Sequence, residues 1–108
     1  MSTDKIILET VFREYLDKTQ KPEDGEVFVL LLNYLNHLFE DTEEEILLED
    51  LTSYEVDDFL NFYLGDQFPE DNEIIKRSTS VLKNFLKFLQ SKKLMDKDEE
   101  REWKEVLT

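Results

Sequence analysis

The sequence from Ile74 to Leu94 reads IIKRSTSVLKNFLKFLQSKKL and contains neither proline nor glycine. At 3.6 residues per turn, its apolar and polar residues fall on opposite faces of a helix. One face holds Ile74, Ser78, Val81, Leu82, Phe85, Phe88 and Leu89, and the other holds Lys76, Ser80, Lys83, Lys87 and Gln90. A helix of about 20 residues is about 30 Å long, the width of a small domain. The stretch therefore predicts the central helix of an all-helical core.

The same stretch differs in charge from the rest of the chain. Residues 74–95 contain six Lys or Arg side chains and no Asp or Glu, whereas the 108 residues together carry a net charge of −14. Residues 1–52 hold 14 acidic and 4 basic side chains, for a net −10. Such acidity favours solubility and opposes non-specific binding to nucleic acid or anionic membranes. The sequence therefore predicts a dipolar molecule with a mostly solvated acidic surface.

Composition narrows the class of protein. The chain has no Cys, which excludes disulfides, zinc-thiolate sites and thiol catalysis. The start, MSTDKIILE, lacks the pattern of a signal peptide, and no apolar run reaches the length of a membrane span. We expect a soluble, cytoplasmic protein with no membrane partner. The length predicts one helical domain over residues 1–108, with a core at about 5–95 and a short C-terminal helix at about 96–107.

Apolar periodicity predicts two helices in the first half. The first runs from about Thr3 to Lys18, is capped by Ser2, Thr3 or Asp4, and stops before Pro22. The second begins at about Glu23 or Glu26 and ends near Glu40. Residues 40–45 then form an acidic turn, which lacks the spacing and central glycine of a calcium-binding EF-hand loop.

Capping signals predict the helices of the second half. Thr52 and Glu55 form a capping box for a third helix, which ends near Leu64 with Gly65 in a left-handed conformation. Asp71 or Asn72 caps the central helix. Asp96 and Glu99 form a second capping box for the tail helix. This helix either folds back onto the bundle or offers Trp103 to a partner, and folding back is favoured because a short helix with an exposed Trp is unstable alone.

Few residues offer catalytic or metal-binding chemistry. His37 is the only histidine, and one His without Cys does not make a zinc site. Asp57 and Asp58 are adjacent on a helix, so their side chains point about 100° apart and cannot share a proton. The run Ser78-Thr79-Ser80 has no base placed to activate a hydroxyl, and two glycines cannot build a phosphate loop. We expect no enzyme, no catalytic or metal residues and no cofactor.

The order of these signals is similar to that of a known domain. A capped helix, LTSYEVDDFL at residues 51–60, precedes a loop and the helix IKRSTSVLKNFLKFL at residues 75–89. Together with FREYL at residues 12–16 and LLNYL at residues 31–35, this pattern resembles the N-terminal, SAM-like core-binding domain of tyrosine recombinases and phage integrases, over about residues 5–95. The resemblance implies an all-α, four- to five-helix orthogonal bundle.

The resemblance also implies a site. Family members clamp DNA with basic residues of the long helix, and the candidate phosphate- or partner-binding residues that correspond here are Lys76, Arg77, Lys83 and Lys87. The family's catalytic domain has no counterpart in these 108 residues, and Met95-Asp96-Lys97-Asp98 stands where the family has an Asn-Pro exit. A recombinase is therefore not expected.

Three functions fit the sequence. The first is a small, acidic, non-enzymatic interaction module that binds an unidentified protein partner. The second is a DNA-binding accessory domain that uses the basic face of the helix at about 72–91, although the net charge of −14 opposes phosphate binding. The third is an acidic nucleic-acid mimic that presents the first half of the chain to a basic protein. A contiguous cationic groove in the fold would support the second function, and salt bridges from Lys83 or Lys87 to Asp57 or Asp58 would argue against it.

Overall fold

The computed structural model describes residues 6–39 and 46–107, and this part of the chain is all-α, as predicted, without any β-strand. The helices are α1 (Leu8–Thr19), α2 (Gly25–Leu38), α3 (Ser53–Asp58), α4 (Leu64–Gln67), α5 (Asn72–Ser91) and α6 (Lys97–Leu107). The chain forms two compact units, Met1–Leu51 and Thr52–Thr108. One domain over residues 1–108 stays a prediction. No helix in the described ranges is long and apolar enough to cross a membrane.

In the first unit, α1 begins later than predicted. Ile7 is extended and forms an isolated antiparallel bridge with Leu47. The Leu8 N–H donates to the Ile46 carbonyl at 3.0 Å, and the Leu48 N–H donates to the Ile6 carbonyl at 2.8 Å. Because Ile7 is extended in this bridge, the helix starts at Leu8 instead of Thr3. The predicted caps at residues 2–4 and the acidic turn at residues 40–45 lie outside the described residues.

Aromatic residues form the core between α1 and α2. Phe12 stacks on Phe28 with ring centroids 4.1 Å apart, and Tyr15 meets Phe28 edge-on at 5.5 Å. The Tyr15 hydroxyl donates to the buried carboxylate of Asp24 at 3.4 Å. Burial, followed by the charge of Asp24 and this hydrogen bond, raises the pKa of Tyr15 to about 12. The first helix stops as predicted, with Gln20 in a left-handed conformation before the 3₁₀ turn Pro22–Asp24.

In the second unit, α3 and α4 are joined by a π-helical turn, Phe59–Tyr63. The predicted end at Leu64 and Gly65 is wrong: the helix continues to Gln67, and Gly65 has a negative φ. In a regular α-helix, Leu64 would be rotated about 80° from Val56. The wider π turn reduces this rotation. Val56 and Leu64 are both fully buried as a result, and the packing of Leu64 extends the helix past Gly65.

The central helix forms as predicted, with Asp71 as its cap. The Asp71 carboxylate accepts a hydrogen bond from the Ile74 N–H at 3.2 Å. The predicted inner face is buried, except that Ile74 is half-exposed, and Leu86 is buried in addition. This burial on both sides of the helix is explained by α6, which packs on α5 and on α3.

The tail helix α6 is capped by Asp96, whose carboxylate accepts from the Glu99 N–H at 2.8 Å. Trp103 is completely buried and Leu107 nearly so, because both face the other helices of this unit. The prediction that the tail folds back is confirmed. A helix of this length gains its stability from such packing.

The capping box of α3 yields a first prediction. Glu55 accepts hydrogen bonds from the backbone N–H of Thr52 at 2.8 Å and from the Thr52 hydroxyl. Replacing Thr52 with alanine should lower the free energy of unfolding by about 1 kcal/mol, the usual cost of losing a cap. Urea denaturation followed by circular dichroism measures it. Ser53→Ala, one residue on, should change stability by less than about 0.5 kcal/mol, and equal losses in the two variants would contradict the capping role.

Candidate functional site: a lysine groove between α5 and α6

A groove of about 550 Å³ lies on the second unit between α5 and α6. We call it the lysine groove, and it is lined by Ser80, Lys83, Asn84, Leu86, Lys87, Gln90, Lys104 and Leu107. Three of these residues are cationic, three are neutral and polar, two are leucines and none is acidic. In a chain with 27 Asp and Glu residues, such a lining is a distinct local environment.

Helix periodicity explains how the groove forms. Lys83 and Lys87 are one turn apart on α5, on the side away from the residues that fill the core. Lys104 precedes Leu107 by three residues on α6, so the two share one side of that helix. Leu86 and Leu107 are 4% and 3% exposed and form an apolar floor. The groove therefore has cationic side chains from two helices above a floor of leucine.

The three lysines of the groove are exposed to solvent. Lys83, Lys87 and Lys104 are exposed, and none makes a hydrogen bond or salt bridge within residues 6–39 and 46–107. Asp57, one of the two carboxylates expected as a partner if the face were neutralised, accepts a hydrogen bond from Asn61 instead. Like charges in proximity repel, and an anionic ligand would relieve that repulsion.

The other two predicted residues lie apart from the groove. Lys76 is exposed on the same side of α5 as Lys83 but about 10 Å further along the helix axis. Arg77 is rotated about 100° from Lys76, is half-buried and interacts with other residues. The structure thus brings Lys83 and Lys87 together and leaves Lys76 and Arg77 outside.

Sequence reasoning missed Lys104 as a member of this site. The sequence predicts that Trp103 packs against the bundle, and Lys104 is the next residue. The sequence of α6 alone does not show which neighbouring helix Lys104 approaches. One sequence feature could have indicated Lys104. A lysine next to the buried face of one helix can lie beside a row of basic residues on the helix against which it packs.

The opposite flank of α6 carries a perturbed carboxyl. Burial raises the pKa of Glu99, and the charges of Glu102, Asp96 and Glu55 raise it further. The indole N–H of Trp103 opposes this shift, although its nitrogen makes no complete hydrogen bond in the described part of the chain. The ionised form of Glu99 is therefore disfavoured in the folded protein.

This shift predicts how stability depends on pH. The pKa of Glu99 is higher in the folded protein than in the unfolded chain. The contribution of Glu99 to the free energy of unfolding is therefore fully present below the ordinary pKa of 4.5 and is lost as pH rises through the raised value. Glu99→Gln should therefore raise the free energy of unfolding at pH 7 and flatten its decrease above pH 4.5. Urea titrations at several pH values measure both effects. Glu100→Gln, with the same charge change on the same helix, is the control, and an equal gain there would contradict a specific role of Glu99.

The structure shows the surroundings of Ser78 and His37, two residues considered for catalytic or metal-binding chemistry. The Ser78 hydroxyl is fully buried and has no hydrogen-bond partner in the described ranges, so no base contacts it. His37 is exposed in the last turn of α2. No three His, Asp or Glu side chains among the described residues are grouped to hold a metal ion.

A second depression, of about 470 Å³, lies on the first unit and is lined by Ile7, Glu9, Thr10, Arg13, Leu32, Asn36 and Ile46. Its one cation is already compensated, because Arg13 donates to Glu9 at 2.8 Å. The lysine groove is therefore the stronger candidate for a binding site.

Comparisons with protein-family models, with curated proteins and with solved structures find no match to this chain. The resemblance to the recombinase core-binding domain stays a prediction.

Proposed function

We propose that this chain is a non-enzymatic interaction module that binds a protein partner through the lysine groove. The observation that supports the proposal is the set of three lysines that make no salt bridge with residues 6–39 and 46–107 and lie above an apolar floor. A cationic rim attracts anionic groups, while leucine side chains favour contact with apolar ones. Protein segments carry both kinds of group. The proposal also includes a SAM-like arrangement of the helices and a cytoplasmic location, both of which rest on the sequence.

The overall charge favours a protein over nucleic acid. Phosphate binding gains free energy from many cationic contacts that release counterions. The groove offers three lysines, while the chain as a whole carries −14 and repels a long polyanion. A protein segment can place a few charges in the groove without approaching the acidic remainder.

Cross-linking through the groove tests the proposal. Gln90 lines the groove and is half-buried, so a photoreactive benzoylphenylalanine at this position would contact a bound partner. We expect irradiation in an extract of the expressing cells to yield one discrete adduct. The adduct should disappear with Lys83→Glu/Lys87→Glu and persist with Lys76→Glu/Lys97→Glu, which changes the net charge equally outside the groove. An adduct that survives the groove substitutions, or no adduct, would count against the proposal.

DNA binding is a second candidate, favoured by the alignment of exposed Lys76, Lys83 and Lys87 along one side of α5. Duplex DNA would contact all three, so Lys76→Glu should weaken it as much as Lys83→Glu does. Fluorescence anisotropy of labelled duplex and single-stranded DNA between about 50 and 200 mM salt measures the affinity and its salt dependence. Micromolar, strongly salt-dependent binding that all three lysines share would replace the protein-binding proposal. Absence of binding at low salt would eliminate DNA.

A further inference from the structure

We infer that the groove takes a short acidic peptide segment in which carboxylates flank an apolar side chain. This inference rests on the proposed function and specifies the chemistry of the partner. Four properties of the groove support it: the charge of its lysines, its apolar floor, its volume and its neutral polar residues.

Charge sets both the sign and the length of the ligand. Lys83, Lys87 and Lys104 face the groove with no carboxylate among the lining residues. Beyond the groove, α6 itself carries five acidic side chains: Asp98, Glu99, Glu100, Glu102 and Glu105. Screening limits electrostatic interactions to about 8 Å at physiological salt. Lys83 and Lys87 lie on α5, whose only acidic residue is Glu73 in the first turn. A short acidic segment placed against these two lysines is therefore attracted to them, whereas a longer polyanion would also meet the carboxylates of α6.

The leucine floor requires an apolar group in the ligand. Leu86 and Leu107 are nearly buried, so the floor is a continuation of the hydrophobic core of the unit. A free phosphate or a run of glutamates would contact the lysines and leave this floor covered by water. A leucine or similar side chain between the acidic residues would bury its own apolar surface against these leucines and against the aliphatic stems of the groove lysines.

The remaining lining residues suit a peptide backbone. Ser80, Asn84 and Gln90 each offer neutral donors and acceptors. A peptide presents N–H and C=O groups that such side chains can bind. The volume of about 550 Å³ is within the range that holds a drug-sized ligand, so a few side chains fill it. The groove thus fits a short segment.

Labelled peptides test this inference by fluorescence anisotropy. The probe is a short peptide with Glu pairs flanking one Leu; in one control peptide Gln replaces every Glu, and in the other Ser replaces Leu. We expect the probe to bind the intact chain with an affinity that falls as salt rises. Each control peptide should bind at least tenfold more weakly. Lys83→Glu/Lys87→Glu should also weaken the probe at least tenfold, and Lys76→Glu/Lys97→Glu should leave it within twofold.

The outcomes separate failure of the inference from failure of the proposed function. Equal binding of the probe and its Ser control would overturn the apolar requirement, and equal binding of the Gln control would overturn the acidic one. No binding of any peptide, with a groove-dependent adduct from the Gln90 position, would overturn the inferred chemistry and leave the proposed function standing. If no adduct forms with the unsubstituted groove either, both the inferred chemistry and the proposed function would be overturned. Peptide binding unaffected by the groove substitutions would overturn the site.

Discussion

Replacing Trp103 with alanine should lower the free energy of unfolding by about 3–5 kcal/mol, the cost of removing a large, fully buried aromatic side chain. Trp103 is the largest fully buried side chain and lies where α6 packs against α3 and α5. Its removal leaves a cavity that the short tail helix cannot fill without losing other contacts. Urea denaturation should be followed by far-ultraviolet circular dichroism, because the substitution removes the only tryptophan of the chain.

A second substitution separates packing from hydrogen bonding at this position. Trp103→Phe should cost less than Trp103→Ala, because phenylalanine refills part of the cavity and removes an indole N–H that has no complete hydrogen bond in the described residues. Tyr54→Ala is the surface control, since Tyr54 is 68% exposed, and should change stability by about 0.5 kcal/mol or less. A loss below about 1 kcal/mol for Trp103→Ala would mean that α6 does not pack on the unit.

Phe28→Ala is the second large prediction, and it concerns the first unit. Phe28 is 2% exposed and is stacked on Phe12 with an angle of 10° between the rings. The substitution removes a buried ring, leaves a cavity and breaks the contacts of Phe28 with Phe12 and Tyr15. Together these losses should lower the free energy of unfolding by about 3–5 kcal/mol. Chemical denaturation measures the loss. Val29→Ala on the same helix, at a position 57% exposed, should cost about 0.5 kcal/mol or less. Similar losses at both positions would contradict the assigned core.

The two substitutions together test whether residues 1–108 form one domain. In a single cooperative domain, a substitution in either unit lowers the midpoint of one common transition. Phe28→Ala and Trp103→Ala should then shift the same denaturation curve without adding a second phase. A curve that separates into two transitions, each moved by only one of the substitutions, would show two domains.

Much of the fold could be predicted because local signals and core packing agree. The inner face of α5 has the helical period, and the caps at Thr52, Asp71 and Asp96 sit where a hydrogen-bonding side chain precedes an apolar run. The tail helix was predicted to fold back because an amphipathic helix with one Trp is unstable alone. In each case, residues of a single helix carried the information.

The errors arose where distant residues decided the local structure. The bridge between Ile7 and Leu47 joins positions 40 residues apart, and because of it α1 begins at Leu8 and not near Thr3. Glycine commonly ends a helix, but Leu64 is buried after the π turn and the helix continues beyond Gly65. Lys104 entered the candidate site only when α6 was seen against α5. Two of the three lysines of the groove, Lys83 and Lys87, were visible as a basic stripe on one helix.

The most direct test of the central claim is to map where the acidic peptide binds. In ¹H–¹⁵N correlation spectra of the labelled full chain, addition of the peptide with Glu pairs flanking one Leu should shift the resonances of Ser80, Asn84, Leu86, Lys87, Gln90, Lys104 and Leu107. The amide of Lys76, on the same side of α5 but outside the groove, should move little. Shifts confined to residues 80–90 and 104–107 and abolished by Lys83→Glu/Lys87→Glu are the predicted result. Shifts spread along α5 through Lys76, or located on the first unit, would contradict the lysine groove as the binding site.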